Sequence, residues 1–188
     1  MRFLRIVAGA ALCLVWGTAT AHTGHTGSGF SGGFAHPFMG VDHLLAMFAV
    51  GLWATQQNGW RVWLAPITFV SVMALGSMAG VMGLSLPWVE PGIALSVFLL
   101  GLFVAVSLRL PAYALIVLTA AFALLHGHAH GAEMPAGASW PYISGFVLAT
   151  AALHASGVGI GFSLRGRALA LRGLGLATAM MGAGLLFN

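Results

Sequence analysis

The chain has 188 residues, 60% of them hydrophobic and only 5% charged, and its seven basic residues are all arginines. A chain so poor in charge cannot cover a water-facing surface, which excludes an ordinary soluble domain and points to an integral membrane protein. Setting Arg2 and Arg5 aside with the N-terminal segment leaves five arginines against three acids, so the formal +4 becomes +2 and carries no implication of nucleic acid.

The N-terminus reads as a secretory signal peptide over residues 1–21: Arg2 and Arg5, an apolar run from Ile6 to Trp16, and a small-residue cleavage site ending Ala19-Thr20-Ala21. The run is short for the roughly 20 residues of an uncleaved span. Cys13, the single cysteine, falls inside this segment. A mature chain beginning at His22 therefore has no thiol for disulfides, metal ligation or nucleophilic catalysis. Residues 22–35, HTGHTGSGFSGGFA, read as a periplasmic Gly/Ser/Thr lead-in. His22 with the new α-amine, and His25, are suited to chelate a divalent ion, though an inert tether reads equally well.

His36 to His43, HPFMGVDH, opens the first apolar stretch. Pro37 suits the first turn of a helix, where its missing N–H costs nothing. A helix starting there places His36 and His43 on one face, with Asp42 about 100° round. An aspartate and a histidine just inside a membrane boundary are costly unless paired or ligating. Further spans are expected at Arg61 to Leu84, Pro91 to Leu108, Pro111 to Gly131, Pro141 to Leu164 and Ala168 to Phe187. The expected architecture is an all-α integral membrane protein, a six-helix transmembrane bundle over residues 36–188.

The fourth span ends in LLHGHAHGAEMP, residues 124–135. His126 and His130 stand one helical turn apart, and Glu133 falls seven residues after His126 on the same face, while His128 points the other way. Two imidazoles and a carboxylate on one face are suitable ligands for a borderline divalent metal. His154, deep in the fifth span, is a functional candidate by its depth, or else a hydrogen-bonding contact between helices. Gly76 with Gly80 and Gly157 with Gly161 read as close helix packing. The methionines, Met47 and Met73 among them, are scattered over several spans and read as apolar filler ahead of soft copper(I) ligands.

Orientation follows from charge. With His22 outside, the links after spans one, three and five are cytoplasmic, and Arg61, Arg109, Arg165 and Arg167 all lie in or beside them, with Arg172 close by. Glu90 and Glu133 fall in the external links. Both histidine motifs then share the external face.

Those motifs resemble the two signatures of the HupE/UreJ family. HPFMGVDH is similar to His-Pro-x-x-Gly-x-Asp-His through His36, Pro37, Gly40, Asp42 and His43. HGHAHGAE is similar to His-Gly-x-Ala-His-Gly-x-Glu through His126, Gly127, Ala129, His130, Gly131 and Glu133. Leu153-His154 in a small-residue fifth span also looks similar. His128, His22 and His25 stand outside the signatures. The resemblance implies a multi-pass protein of the bacterial inner membrane that imports nickel or cobalt from the periplasm to supply hydrogenase or urease maturation, with the ion as cargo and no prosthetic group. The residues alone imply a divalent-metal site in a membrane bundle. They equally suit an intramembrane metal-dependent hydrolase, in which His and Asp ligands activate a water, or a metal-sensing subunit without transport. Small-residue faces permit a homo-oligomer without requiring one.

Overall fold

The computed structural model of the protein describes residues 27–138 and 140–187. The expected signal peptide and the His22 and His25 positions lie outside the described residues. Within them the chain is helical, without a strand: α1 Phe30–Met39, α2 Val41–Ala54, α3 Leu64–Val81, α4 Val89–Val106, α5 Ala112–Ala132, α6 Trp140–Ser163 and α7 Ala168–Leu186. A 3₁₀ turn, Gly59–Trp63, leads into α3. Helix is the form that satisfies every backbone polar group without water, which is why apolar runs of this length adopt it in a bilayer. Five helices are long and apolar enough to cross a membrane, α3 counted with its 3₁₀ turn, and α1 with α2 forms a further pair bent by 86°.

That bent pair differs from the continuous first span expected from sequence. Helix begins at Phe30, inside the glycine-rich lead-in, and Pro37 sits near its end. Proline deprives the last turn of a hydrogen bond, and Gly40 then turns the chain in an extended conformation before α2 begins. Gly40 lies under its own successors: a Cβ there would stand 2.7 Å from Asp42 Oδ1 and 3.2 Å from His43 Nδ1. Gly32 and Gly33, part of the presumed linker, are buried. A Cβ on Gly33 would collide with the Tyr142 carbonyl of α6, and one on Gly145 of α6 with the Phe30 carbonyl, so the two backbones touch. Phe30, Phe34 and Phe38 stack along the exposed side of α1, with ring centroids 6.1 and 5.8 Å apart.

The main helix pairings are α3 on α5, α4 on α7, and α6 on both α1 and α2. Glycine makes them close. Gly76 and Gly80 of α3 meet the backbone of α5 around Gly127 and Gly131, and Gly51 of α2 meets Gly157 of α6. At the arginine-bearing end, Trp53 Nε1 and Gln57 Nε2 donate to the Leu108 carbonyl at 2.8 and 3.0 Å, and Arg109 Nε donates to the Gln56 carbonyl at 2.9 Å. These contacts tie the end of α2 to the end of α4, where helix carbonyls lack partners of their own.

Polarity is distributed as a bilayer demands. Ile67, Val117, Leu169 and Met180 are exposed, whereas Ser96, His126, His130 and Thr150 are buried. Trp88 and Trp140 at one end and Trp60 and Tyr113 at the other are exposed, as aromatic residues at membrane–water interfaces are. The chain is a multi-pass helical membrane protein.

Candidate metal site

The corner at Gly40 and the last two turns of α5 meet at one end of the bundle. His36 from α1 and His43 from α2 approach His130 of α5 from two directions, with ring centroids 4.9 and 4.4 Å away. His126, one turn deeper on α5, lies 5.0 Å from His43. His130 also stacks on Phe146 of α6 at 5.1 Å. The i, i+4 spacing thus builds half the cluster on one rigid helix, and the corner in the chain supplies the other half.

Two of the imidazoles, His43 and His126, are held so that a particular nitrogen is left to act. Asp42 Oδ1 lies 3.0 Å from His43 Nδ1 and also accepts the His43 backbone N–H at 2.8 Å. A proton held on Nδ1 by the carboxylate leaves Nε2 with its lone pair, and that atom is buried without a partner. At His126 the logic runs through a serine. Ser96 Oγ donates its only proton to the Ile93 carbonyl at 2.7 Å, so it can only accept from His126 Nε2 at 2.8 Å. His126 Nδ1 is then the lone-pair atom, and it too is buried and unpartnered. His130 is fully buried with neither ring nitrogen hydrogen-bonded. Leaving such groups unmet costs roughly 1–3 kcal/mol each, which a ligand would offset.

The outer rim is acidic. Glu133, just past the last residue of α5, places Oε2 3.3 Å from His36 Nε2. Its hydrogen bond to His36 holds the carboxyl below the usual glutamate range, outweighing the opposite pull of partial burial. Glu90, in the first turn of α4, shares the electrostatic field of Glu133, Asp42 and His43. All three acids of the chain therefore serve one end. Sequence reading treated Glu90 only as a charge in an external link; its rarity was the signal available. Tyr142, whose buried hydroxyl has no partner and whose ring lies 6.0 Å from His36, carried no signal in sequence, nor did Ser96.

Two candidates stand apart. His154 of α6 is buried deeper in the bundle, edge-on to Phe69 at 5.2 Å, and Phe69 in turn lies 5.5 Å from His126, so a phenyl ring separates the cluster from His154. Neither nitrogen of His154 has a partner. His128 faces the other side of α5, with Nε2 2.6 Å from the Leu84 carbonyl. Among the described residues no three His, Asp or Glu side chains already stand as a closed metal-ligand group. The arrangement is a string of neighbours, which suits successive weak coordination better than a cage.

The family profile described as HupE / UreJ protein matches residues 10–185. The chain belongs to the HupE/UreJ family. Protein HupE of Rhizobium leguminosarum bv. viciae is 41% identical over 189 residues, covering 99% of each chain. No solved structure matches. HupE/UreJ membership extends through all seven described helices, so the corner, the α5 histidines and His154 all lie within the matched region. The glycines of the HupE/UreJ-like motifs have a steric reason in this fold: a Cβ on Gly127 or Gly131 would strike the Met73 or Ser77 carbonyl of α3.

Proposed function

We propose that this protein is a secondary transporter that imports nickel, or cobalt, from the periplasm to the cytoplasm for hydrogenase or urease metallocentre assembly. The observation that carries the reading is the convergence of His36, His43, His126 and His130 at one end of an apolar bundle, with ring nitrogens of the last three buried and unpartnered. Imidazole nitrogen is a good donor for nickel and cobalt and a poor one for magnesium or calcium. Family membership supports the same cargo.

In this reading His22 and His25 collect metal outside, and Glu133 and Glu90 draw the dication to the mouth. His36 and His130 take it first, and Asp42 orients His43 to receive it next. His126 and then His154 lie inward. His128, tied to the Leu84 carbonyl, serves the α3–α4 link and not the ion. Among the described residues the donors form a string with no closed cage, an arrangement suited to release as well as capture.

The test is isotope uptake into proteoliposomes of the purified protein, with nickel, cobalt or zinc outside under an imposed potential, beside a His36→Ala, His130→Ala double variant. Saturable entry of nickel or cobalt that the variant loses is the expected result. Tight binding with no flux would replace transport by sensing or catalysis.

A further inference from the structure

Between the imidazole cluster and His154 lies a layer that the transport reading leaves unassigned. Met47 stands one helical turn below His43 on α2, Met73 one turn above Phe69 on α3, and Thr150 one turn from both Phe146 and His154 on α6. All three are fully buried. The Thr150 hydroxyl lies 3.3 Å from Met47 Sδ and 3.6 Å from Met73 Sδ. Residues that looked scattered along the sequence thus meet at one point, supplied by three helices.

Methionines that merely fill space turn their sulfurs in no particular direction. Here both sulfurs point at one hydroxyl, which has a single proton and can bond only one of them at a time. The layer also has a position. Above it are His43 Nε2 and both nitrogens of His130, near its level is His126 Nδ1, since Gly127 packs on the Met73 backbone, and below it are both nitrogens of His154, all buried without partners. By helix register the sulfurs lie between the level of His43 and that of His154, beside Phe69, whose ring neighbours both His126 and His154.

We propose that the Met47 and Met73 thioethers, with the Thr150 hydroxyl, form a second metal-binding station one turn below the imidazole cluster, where passing dications are sorted by softness. Its ligands are neutral, so it holds a dication weakly and releases it inward. Thioether sulfur discriminates by polarisability: nickel and cobalt are softer than manganese, magnesium and calcium, which prefer oxygen. The station therefore acts as a filter against the harder ions that glutamates at the mouth also attract. It rests on the proposed metal transport.

The experiment compares the full chain carrying Cys13→Ser, so that methionine is its sole sulfur, with the same chain carrying Met47→Leu and Met73→Leu. Methionine to leucine conserves volume and spares packing. Three readouts are taken: nickel bound at equilibrium, nickel and manganese entry into proteoliposomes, and nickel K-edge X-ray absorption of the loaded protein. The parent is expected to show a sulfur scatterer that the variant lacks. Nickel entry in the variant should fall at least tenfold and the nickel-to-manganese ratio with it, while binding at the imidazoles stays within twofold. Equal entry and an equal ratio in both proteins would overturn the station and reduce the methionines to packing. If the double variant does not fold, the parent spectrum decides, since a nickel shell without sulfur overturns the proposal by itself. If the parent moves no nickel, transport fails as a reading, and the sulfur shell alone then decides whether the thioethers bind metal.

Discussion

At the scale of single residues, the site works by assigning protons. Asp42→Asn keeps the shape of the side chain but can turn an N–H toward His43 Nδ1, which moves the ring proton to Nε2 and removes the lone pair from the cluster. Nickel uptake is expected to fall by about 10–100-fold, the range for lost orienting partners, with normal protein in the membrane fraction; unchanged uptake would show that the tautomer does not matter. Ser96→Ala leaves His126 Nε2 buried without an acceptor, at a cost of about 1–3 kcal/mol, and should lower the apparent melting temperature in detergent. Acidity separates the two ligand types. The Glu133 carboxyl, held low by its hydrogen bond to His36, stays ionised until pH falls through that lowered value. Nickel binding at equilibrium should weaken as pH falls, because protons compete with the metal for imidazole nitrogen, and Glu133→Gln should weaken binding at every pH. The histidines were readable because two motifs carry them at helical spacing. Ser96 and Tyr142 were not, since one hydroxyl in an apolar run looks the same whether it holds a ring or fills a gap.

At the scale of elements, sequence and structure part at the first helix. Pro37 signalled a helix end correctly in kind but was placed at the start, because FSGGFA ahead of it has the composition of a linker. Its glycines are there for contact: α1 packs so closely on α6 that Gly33 and Gly145 have backbone where side chains would be. Periodicity registers apolar faces and is blind to a face made of absent side chains. The remaining spans were legible to within a few residues, since each is a long apolar run ended by proline, glycine or charge. The α3–α5 crossing gives a clean contrast. Gly127→Ala drives a Cβ into the Met73 carbonyl and should spread the helices, with loss of folded protein and of uptake, whereas Gly173→Ala in α7, with no atom within 4 Å of the added Cβ, should match the parent. Detergent gel filtration and uptake read both.

At the scale of the whole molecule, the chain is polarised along its length. Asp42, Glu90 and Glu133 gather at the histidine end, and the arginines Arg61, Arg109, Arg165 and Arg167 lie in the links of the other. In a cysteine-free background, Trp88→Cys should react with a membrane-impermeant maleimide in intact cells, and Trp60→Cys only after permeabilisation. The reverse pattern would put the histidine end in the cytoplasm and count against import by the proposed route. This polarity was visible in the sequence because arginines are few enough for each to count. The convergence of spans one, two, four and five on a shared axis was not, since apolar helices carry little information about which of them are neighbours.

The corner at Gly40 gives that axis a mechanical property. Two of the four imidazoles ride on α5, which glycine contacts clamp to α3, while the other two sit on opposite arms of an 86° bend. The bend thus sets the spacing of His36 and His43 against the α5 pair, and each arm is in turn seated on α6 through glycine. A side chain on Gly40 would press on Asp42 and the His43 ring, and is expected to displace the two imidazoles of the corner while leaving the α5 pair in place.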